Sequence, residues 1–339
     1  MDRPDTDDPR STDQGPSSAP KKTFLDLIDA CDSFPRITPA GVPEAERLSR
    51  FYAKGHLVGY LRASVVSALK TDFPSYFDIL PNEGSAFDVF VRDQEDKSVG
   101  ALSKLLNGVA QFWHTRDTFE VLKGWRGEQY TIYGPERAIL FTLERAACGL
   151  FGLVTYGAHM TAYIPATETS PIRVWCPRRS STKATFPNML DNSAAGGISN
   201  GLSAYETMVK EANEEASVPE DIARKLIRSV GAISYIYVDG TVDQGAGWIQ
   251  PEVEYVYDLP LTAEASDLVL RPNDGEAVDF ELWTIDKVSE EMLAGHFKPN
   301  CAAVMIDFMI RHGLLTYENE PDYLRILQRL HRTFEFPVQ

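Results

Sequence analysis

The sequence predicts an α/β sandwich over residues 150–318, preceded by a smaller mixed α+β domain over 23–149. Three observations predict it. Short β-like runs precede one polar, strongly helical segment at 203–216. Further alternating runs follow at 230–238, 252–259 and 280–284. A largely apolar helical stretch at 300–312 then closes the unit. Strands, one embedded helix, more strands and a closing helix are the order of a layered α/β unit.

Residues 1–22 are Asp, Ser, Thr, Pro and Gly with almost nothing apolar, which predicts a disordered tail. Phe24, Leu25, Leu27 and Ile28 carry helical spacing. A longer periodic stretch over 43–69 (Leu48, Phe51, Leu57, Leu61, Val65, Val66 and Leu69) also reads as helices. Residues 87–91 and 130–132 read as short strands, with Gly134-Pro135 as punctuation, and 136–147 reads as a helix. The apolar run at 150–164 and a shorter one at 172–176 read as strands, and Ala194-Ala195-Gly196-Gly197 reads as a Gly-rich turn. Pro299 leads into the closing helix, and Arg311, His312 and Gly313 supply its stop signals. Residues 319–339 are expected to form a C-terminal helical tail.

Composition bounds the function classes. Hydrophobic residues make up 43% of the 339 and aromatics 11%, enough for a sizeable core. The formal charge of -16 argues against a surface for nucleic acid or anionic lipid. It leaves phosphate-bearing small molecules open, since a bound cation inverts the local sign of a site. Cys31, Cys148, Cys176 and Cys301 form no close-spaced pair, and the opening residues lack an apolar run. Reduced thiols in a cytoplasmic protein, with neither a secretory signal nor a membrane span, are the expectation.

The segment with chemistry is 196–219. Ser203 is a good N-cap, Glu206 three residues on completes a capping-box pattern, and Pro219 bounds the helix. Glu211, Glu214 and Glu215 then stack at i, i+3 and i+4 near the C-terminus. Like charges there cost roughly a few tenths of a kcal/mol per pair, and the helix dipole disfavours them further. A solvated charge face is the bland explanation. A hard divalent cation, Mg²⁺ or Mn²⁺, is the other, because it takes carboxylate oxygens and offsets the repulsion.

Setting Lys210-Glu211-Ala212-x-Glu214-Glu215-x-Ser217-Val218 after Gly196 at its fixed distance resembles the Nudix signature. That signature is Gly, five residues, Glu, seven residues, then Arg-Glu-aliphatic-x-Glu-Glu-x-Gly-aliphatic. The resemblance implies a Nudix α/β/α sandwich with metal on Glu211, Glu214 and Glu215. Three positions depart: Leu202 stands for the first Glu, Lys210 for the Arg and Ser217 for the late Gly. The first Glu and the Arg pair in the family to brace the loop. Losing both leaves no unpaired buried charge, and Leu202 is left to pack on the Lys210 stem.

Further strings extend the resemblance over 23–318: Met189-Leu190-Asp191-Asn192, Ile249-Gln250-Pro251-Glu252, Tyr255-Val256-Tyr257-Asp258, Asn273-Asp274-Gly275-Glu276, Phe297-Lys298-Pro299-Asn300-Cys301, Gly124-Trp125-Arg126-Gly127-Glu128 and Tyr130-x-x-Tyr133-Gly134. They are similar to a eukaryotic Nudix subfamily whose members occur alone or fused ahead of thiamine pyrophosphokinase. Glu-Glu-Ala-Ser is its usual box ending, whereas Leu202 is unusual even there. The resemblance implies hydrolysis of thiamine diphosphate, notably its damaged oxo and oxy forms, to the monophosphate. With Gln339 as the last residue, no kinase function is expected. The alternatives are hydrolysis of ADP-ribose or another nucleoside diphosphate derivative, and a catalytically weakened ligand-binding module.

On this reading Glu211, Glu214 and Glu215 hold the cation, Glu276 is a supplementary ligand or base, and Glu254 is a catalytic carboxylate. Glu252 and Glu254 alternate on a strand and face one side, which fits either a ligand pair or an exposed face. Gly196 and Gly197, with Gln250 and Asn300, are expected to line the cofactor and substrate site. Phe112, Trp113, Trp125, Tyr130 and Tyr133 could stack on aromatic rings or simply fill a core. Lys298 could meet a phosphate or be an ordinary surface lysine, and His159 reads as structural. The expected partner is a small-molecule diphosphate, with no nucleic acid and no membrane; the sequence leaves the oligomeric state open.

Overall fold

A computed structural model describes residues 22–34, 48–92, 95–238, 247–262, 265 and 267–339. The tail expected over 1–22 lies outside the described residues except for Lys22, as do residues 43–47 of the stretch read as helical. The chain begins with α1 (Phe24–Cys31), opened by a complete capping box between Thr23 and Asp26. There follow β1 (Ser49–Ala53), β2 (His56–Leu61), α2 (Ala63–Asp72), β3 (Phe77–Pro81), β4 (Phe87–Val91), α3 (Val99–Thr115), β5 (Gln129–Tyr133), β6 (Ile139–Glu144) and the single turn α4 (Arg145–Cys148). The remainder is β7 (Thr155–Ile164), β8 (Arg173–Arg179), β9 (Ala194–Gly197), α5 (Ala204–Ala216), α6 (Glu220–Leu226), β10 (Arg228–Val238), β11 (Ile249–Pro260), β12 (Ala277–Thr284), α7 (Ile285–Leu293), α8 (Pro299–Arg311) and α9 (Tyr323–Leu330).

The second half forms three layers. Its sheet runs β10-β11-β7-β8-β12, with β9 alongside β7; β7 and β11 are parallel and the other pairs antiparallel. Met208, Val209 and Ala212 of α5 pack on Ala158, Met160 and Tyr257 on one face. Cys301, Val304 and Phe308 of α8 pack on Val174, Cys176 and Val256 on the other. Successive strand residues point to opposite faces, so each strand feeds both cores. This is the expected α/β sandwich.

The first half is a four-stranded sheet, β2-β1-β4-β3, with α2, α3 and the β5–β6 hairpin around it. Phe51, Leu69, Leu106, Trp113, Phe141 and Phe151 form its core. The two halves meet where backbone touches backbone. A Cβ on Gly59 would lie 2.3 Å from the Phe151 carbonyl oxygen, and one on Gly152 would lie 2.4 Å from that of Tyr60. Only glycine permits so close an approach.

Several sequence expectations change. The stretch read as helices over 43–69 contains the hairpin β1–β2 before α2. Lys54 and Gly55 both have positive φ (48° and 80°) and form its two-residue turn, which overrides the apolar spacing. The helix expected over 136–147 is chiefly strand β6. Glu136 and Arg137 turn the chain at φ 54° and 63°, so β6 folds back on β5 and Leu140, Phe141 and Leu143 enter the core. The turn expected at 194–197 is an extended strand on β7. Helix α1 packs on α8 and α9 rather than opening the leading domain. The C-terminal tail is helical only through Leu330; Phe334 and Phe336 then pack beside Tyr60 and Val154. All four cysteines are buried and free, and no helix among the described residues is long and apolar enough to cross a membrane.

The edge strand β10 is covered by the two chain ends. Phe34 N donates to the Ile236 carbonyl at 3.0 Å and Ile236 N to Asp32 Oδ1 at 3.1 Å. Arg332 N donates to the Ser234 carbonyl at 3.0 Å. Asp32, 1% exposed, also accepts from Arg329 Nε at 2.9 Å and Arg332 Nη1 at 2.6 Å. On α8, Arg311 grips Asp258 of β11 at 2.8 and 3.0 Å, and His312 Nε2 lies 3.0 Å from the same carboxylate.

Two outcomes follow for stability. Asp32→Ala removes the buried carboxylate shared by Arg329 and Arg332 and its bond to Ile236 N on β10, so urea unfolding is expected to show a loss of about 3–5 kcal/mol. A loss below about 1 kcal/mol would mean that the closure of β10 does not depend on this carboxylate. Burial pushes the Asp258 carboxyl up, but His312 and Arg311 outweigh it and hold its pKa below the usual carboxylate value. A depressed folded pKa gives stability that is present above the unfolded value, about 4, and lost as pH falls through the folded one. Thermal melts of Asp258→Asn are expected to be lower at pH 7 and to fall less steeply below pH 4 than wild type.

Candidate active site on the glutamate helix

Helix α5 begins where the sequence places it. The Ser203 side chain accepts from Glu206 N at 3.1 Å. The reciprocal half of the capping box is absent, because the Glu206 carboxylate reaches Arg224 of α6 at 2.8 and 2.9 Å instead. The helix ends on Ser217 at φ 56°, whose hydroxyl donates to the Arg271 carbonyl at 3.0 Å. That bond helps hold a left-handed cap usually taken by glycine.

The apolar face of α5 lies on the sheet, and this turns Glu211 and Glu215 toward β9. A Cβ on Gly196 would sit 2.5 Å from Glu211 Cδ, so the glycine is required for the helix to approach. Glu215 Oε2 accepts from Ala195 N at 2.8 Å. Glu214 points outward, with its side chain 49% exposed against 16% for Glu211. Lys210 bridges the two, 3.1 Å from Glu211 Oε1 and 2.7 Å from Glu214 Oε2. Its ammonium therefore turns to the glutamates, while Leu202 is left 40% exposed.

Glu276, at the turn into β12, joins this group. Its backbone N donates to Asp274 Oδ1 at 2.8 Å, and its carboxylate is ion-paired with Lys183. A cavity of about 20 Å³, room for one water or ion, lies among Arg179, Asp191, Ser193, Glu215 and Glu276. Burial, and then the charges of Asp191, Glu211 and Glu276, push the Glu215 carboxyl well above its ordinary range. Burial also raises Glu211 against the pull of Lys210. Glu276 goes the other way, as Lys183 outweighs its burial, and the charge of Arg126 also lowers it.

The chemistry of the set suits a hard cation: every candidate ligand is a carboxylate, and their mutual repulsion is what a cation would relieve. Among the described residues no three carboxylates converge into a ready coordination sphere. Lys210 and Lys183 hold three of them, and the Ala195 amide holds Glu215.

Glu254 is not brought to this cluster. It pairs in register with Gly157, and Gly157 pairs with Gly197, which puts its side chain on the face opposite α5. There it is 4% exposed, accepts from Tyr235 Oη at 2.7 Å, and lies 3.5 Å from His159 Nε2 and 3.5 Å from Asn300 Nδ2. Glu252 shares the Tyr235 hydroxyl at 2.6 Å. Burial raises both carboxyls, and the adjacent charges then separate them. His159 brings Glu254 down to about 2, while the Glu254 charge helps push Glu252 up to about 7. Gln250 lies two residues before Glu252 on the same strand, against Gly149. Gln250 and Asn300 thus belong with Glu254, whereas Gly196 faces α5 and Gly197 faces Tyr130 on the other side. His159 is a buried partner in this network, its Nδ1 2.8 Å from Asn192 Oδ1.

Of the five aromatic candidates only Tyr130 meets the glycine strand. A Cβ on Gly197 would lie 1.7 Å from its hydroxyl oxygen. Trp113 is fully buried, Phe112 packs on the same core, Trp125 stacks on His114 at 4.6 Å and Tyr133 meets Tyr156 edge-on at 5.5 Å. Motif and spacing assign no role to Lys183, Asp191, Arg179 or Ser199. Asp191 lies in a quoted string, but nothing local ties it to a glutamate more than twenty residues on. Its carboxylate holds Arg179 at 2.6 Å and accepts from Cys301 Sγ at 2.6 Å.

Residues 23–155 match a family model described as a domain of unknown function, DUF4743. The uncharacterized protein YJR142W of Saccharomyces cerevisiae is 38% identical over 241 residues, covering 70% of this chain and 69% of its own. Nudix hydrolase 20, chloroplastic, of Arabidopsis thaliana is 36% identical over 212 residues, 62% of this chain and 53% of its own. Nudix hydrolase 24, chloroplastic, from the same plant is 29% identical over 309 residues, 91% of this chain and 77% of its own. Two of these relatives carry Nudix hydrolase names, and with Gly196 packed beneath Glu211 and the spaced glutamates on α5 they support placing the chain in the Nudix hydrolase superfamily.

Proposed function

We propose that this chain is a Mg²⁺-dependent hydrolase of a small organic diphosphate, with Mn²⁺ as a substitute ion. The substrate we propose is thiamine diphosphate or an oxo or oxy analogue, cleaved to the monophosphate plus phosphate. The observation that carries the reading is the acid cluster over Gly196, where Glu215 sits amid the charges of Asp191, Glu211 and Glu276. The names of the two Arabidopsis relatives support hydrolysis. The thiamine assignment rests on the strings quoted from the sequence.

In this reading Glu211, Glu214 and Glu215 hold the ion, with Glu276 as supplementary ligand. Bound there, a divalent cation neutralises diphosphate oxygens and acidifies a water. Gly196 and Gly197 carry no side chain, which lets Glu211 and Tyr130 close on the backbone beside the site. Lys210, paired with Glu211 and Glu214, and Lys183, paired with Glu276, would supply positive charge to a diphosphate seated on the glutamates. Glu214, the most exposed of the trio, or Glu276 accepts the proton of the attacking water. Glu254, across the sheet, has no part in that transfer.

Product analysis with Mg²⁺ tests the reading on thiamine diphosphate, its oxo and oxy analogues, ADP-ribose and dinucleotides. Monophosphate is expected from the thiamine compounds. Glu211→Gln and Glu215→Gln are expected to lower kcat by more than the roughly 10–100-fold that outer-shell changes cost. Turnover of ADP-ribose alone would keep the chemistry and overturn the substrate. No turnover by a protein that binds Mn²⁺ would favour a ligand-binding module. The separation of the two carboxylate groups is checked by paramagnetic Mn²⁺ relaxation. Glu215→Gln is expected to weaken Mn²⁺ binding at least about tenfold, and Glu254→Gln to leave it within a factor of about two. Equal weakening by both would mean that Glu254 does reach the ion.

A further inference from the structure

We infer that strand β5 of the leading domain is the positioning element of the glutamate site, holding the loop between β9 and α5 through Glu128, Thr131 and Tyr130. The inference rests on the reading of α5 as the diphosphate site and deepens it.

The loop, residues 198–203, is fastened at its start by Ile198 N, which donates to the Tyr156 carbonyl of β7 at 2.8 Å, and beyond that chiefly from the leading domain. Ser199 Oγ donates to Glu128 Oε1 at 2.6 Å. Asn200 N donates to the Gln129 carbonyl at 2.7 Å, and Thr131 Oγ1 donates to Asn200 Oδ1 at 2.8 Å. The Tyr130 hydroxyl lies against Gly197. The helix contributes little. Apart from the Ser203 cap, no side chain of α5 bonds to residues 198–202 among the described residues. Lys210 is engaged by Glu211 and Glu214, and Leu202 is exposed. Gly201 at φ 91° adds no stiffness of its own.

The groups that grip the loop are themselves fixed. Arg145 Nη1 holds the second oxygen of Glu128 at 3.0 Å, Arg145 N donates to the Glu128 carbonyl at 2.8 Å, and its guanidinium lies over the Tyr130 ring at 5.6 Å. Gln129 Nε2 donates to Asn107 Oδ1 at 3.2 Å, and Asn107 Nδ2 donates in turn to the carbonyls of Ser103 and Thr142. A continuous hydrogen-bonded path therefore runs from α3 through the β5–β6 hairpin to the loop beside Gly196 and Gly197. Glu128, Thr131 and Tyr130 are positioning residues: they meet the loop, and the loop and Gly196 meet the glutamates.

The test uses the full chain with Glu128→Gln, Thr131→Val and the conservative Thr131→Ser, which keeps the hydroxyl. Hydrogen exchange at residues 198–203 is read together with melting temperature and with kcat and KM for thiamine diphosphate in Mg²⁺. Glu128→Gln and Thr131→Val are expected to speed exchange at 198–203 about tenfold. Exchange in β7 and the melting temperature should stay near wild type. Their kcat should fall about tenfold or more, as small displacements of a reacting geometry do, with KM changed less and Thr131→Ser close to wild type. Unchanged exchange in the loop would overturn the inference, and so would a uniform rise across the sheet with a lowered melting temperature. A localised rise with kcat unchanged would overturn it too. If wild type turns over nothing, the localised rise still supports β5 as the brace, and only the diphosphate reading fails.

Discussion

Two side chains that are absent, at Gly196 and Gly197, set the distances on which the rest of the site depends. Strand β9 is only four residues long, yet it has Glu211 of α5 pressed on one residue and Tyr130 of the leading domain pressed on the next. Successive residues of a strand face opposite ways, so these two contacts come from the two sides of the sheet. A methyl group at either position would displace a whole element rather than a single rotamer. The carboxylates of α5 and the hairpin of the leading domain are thus registered against one piece of backbone. Their relative placement follows from it rather than from any contact between them.

The two faces handle buried charge differently. On the α8 face, Glu254 has Tyr235 and His159, and Asp191, which lies between the two groups, has Arg179 and Cys301, so most of the cost of burying these two is offset inside the protein. On the α5 face, Glu215 has one backbone amide and otherwise acidic company. Lys210 and Lys183 compensate its neighbours from outside and hold them apart. The first arrangement is a closed network. The second leaves a positive charge wanting, and this asymmetry separates the site from the ordinary buried polar core better than a count of acids does.

Much of the sandwich was legible in the sequence because its strands alternate and its key helix carries its own punctuation at Ser203 and Pro219. The glutamate spacing was legible for the same reason: three residues on one helix need no long-range information to be placed together. The leading domain was harder. Residues 49–61 carry apolar positions compatible with a helix, and only the Lys54-Gly55 pair, a two-residue turn, marks the hairpin. Residues 139–144 contain good helix formers, and pairing with β5 decides their fate. Glu254 shows the limit at the site itself. Alternation correctly put it on one face with Glu252, but nothing in a single strand says on which face the helix will lie. The grip of Glu128 on Ser199, 71 residues away, has no local signal at all.

The covering of β10 by both ends of the described fold has a consequence for how the molecule is made. Asp32 waits for Arg329 and Arg332, partners 297 and 300 residues further along. During synthesis the Ile236 end of β10 can be covered at once by Asp32 and Phe34, but the Ser234 end stays open until the segment around Arg332 has left the ribosome. Contacts of such long range form late, because loop closure precedes any gain from them. Once β10 has emerged, part of its edge therefore stays exposed until that segment follows, a period in which chaperone engagement or mispairing with a neighbouring chain competes with completion of the sheet.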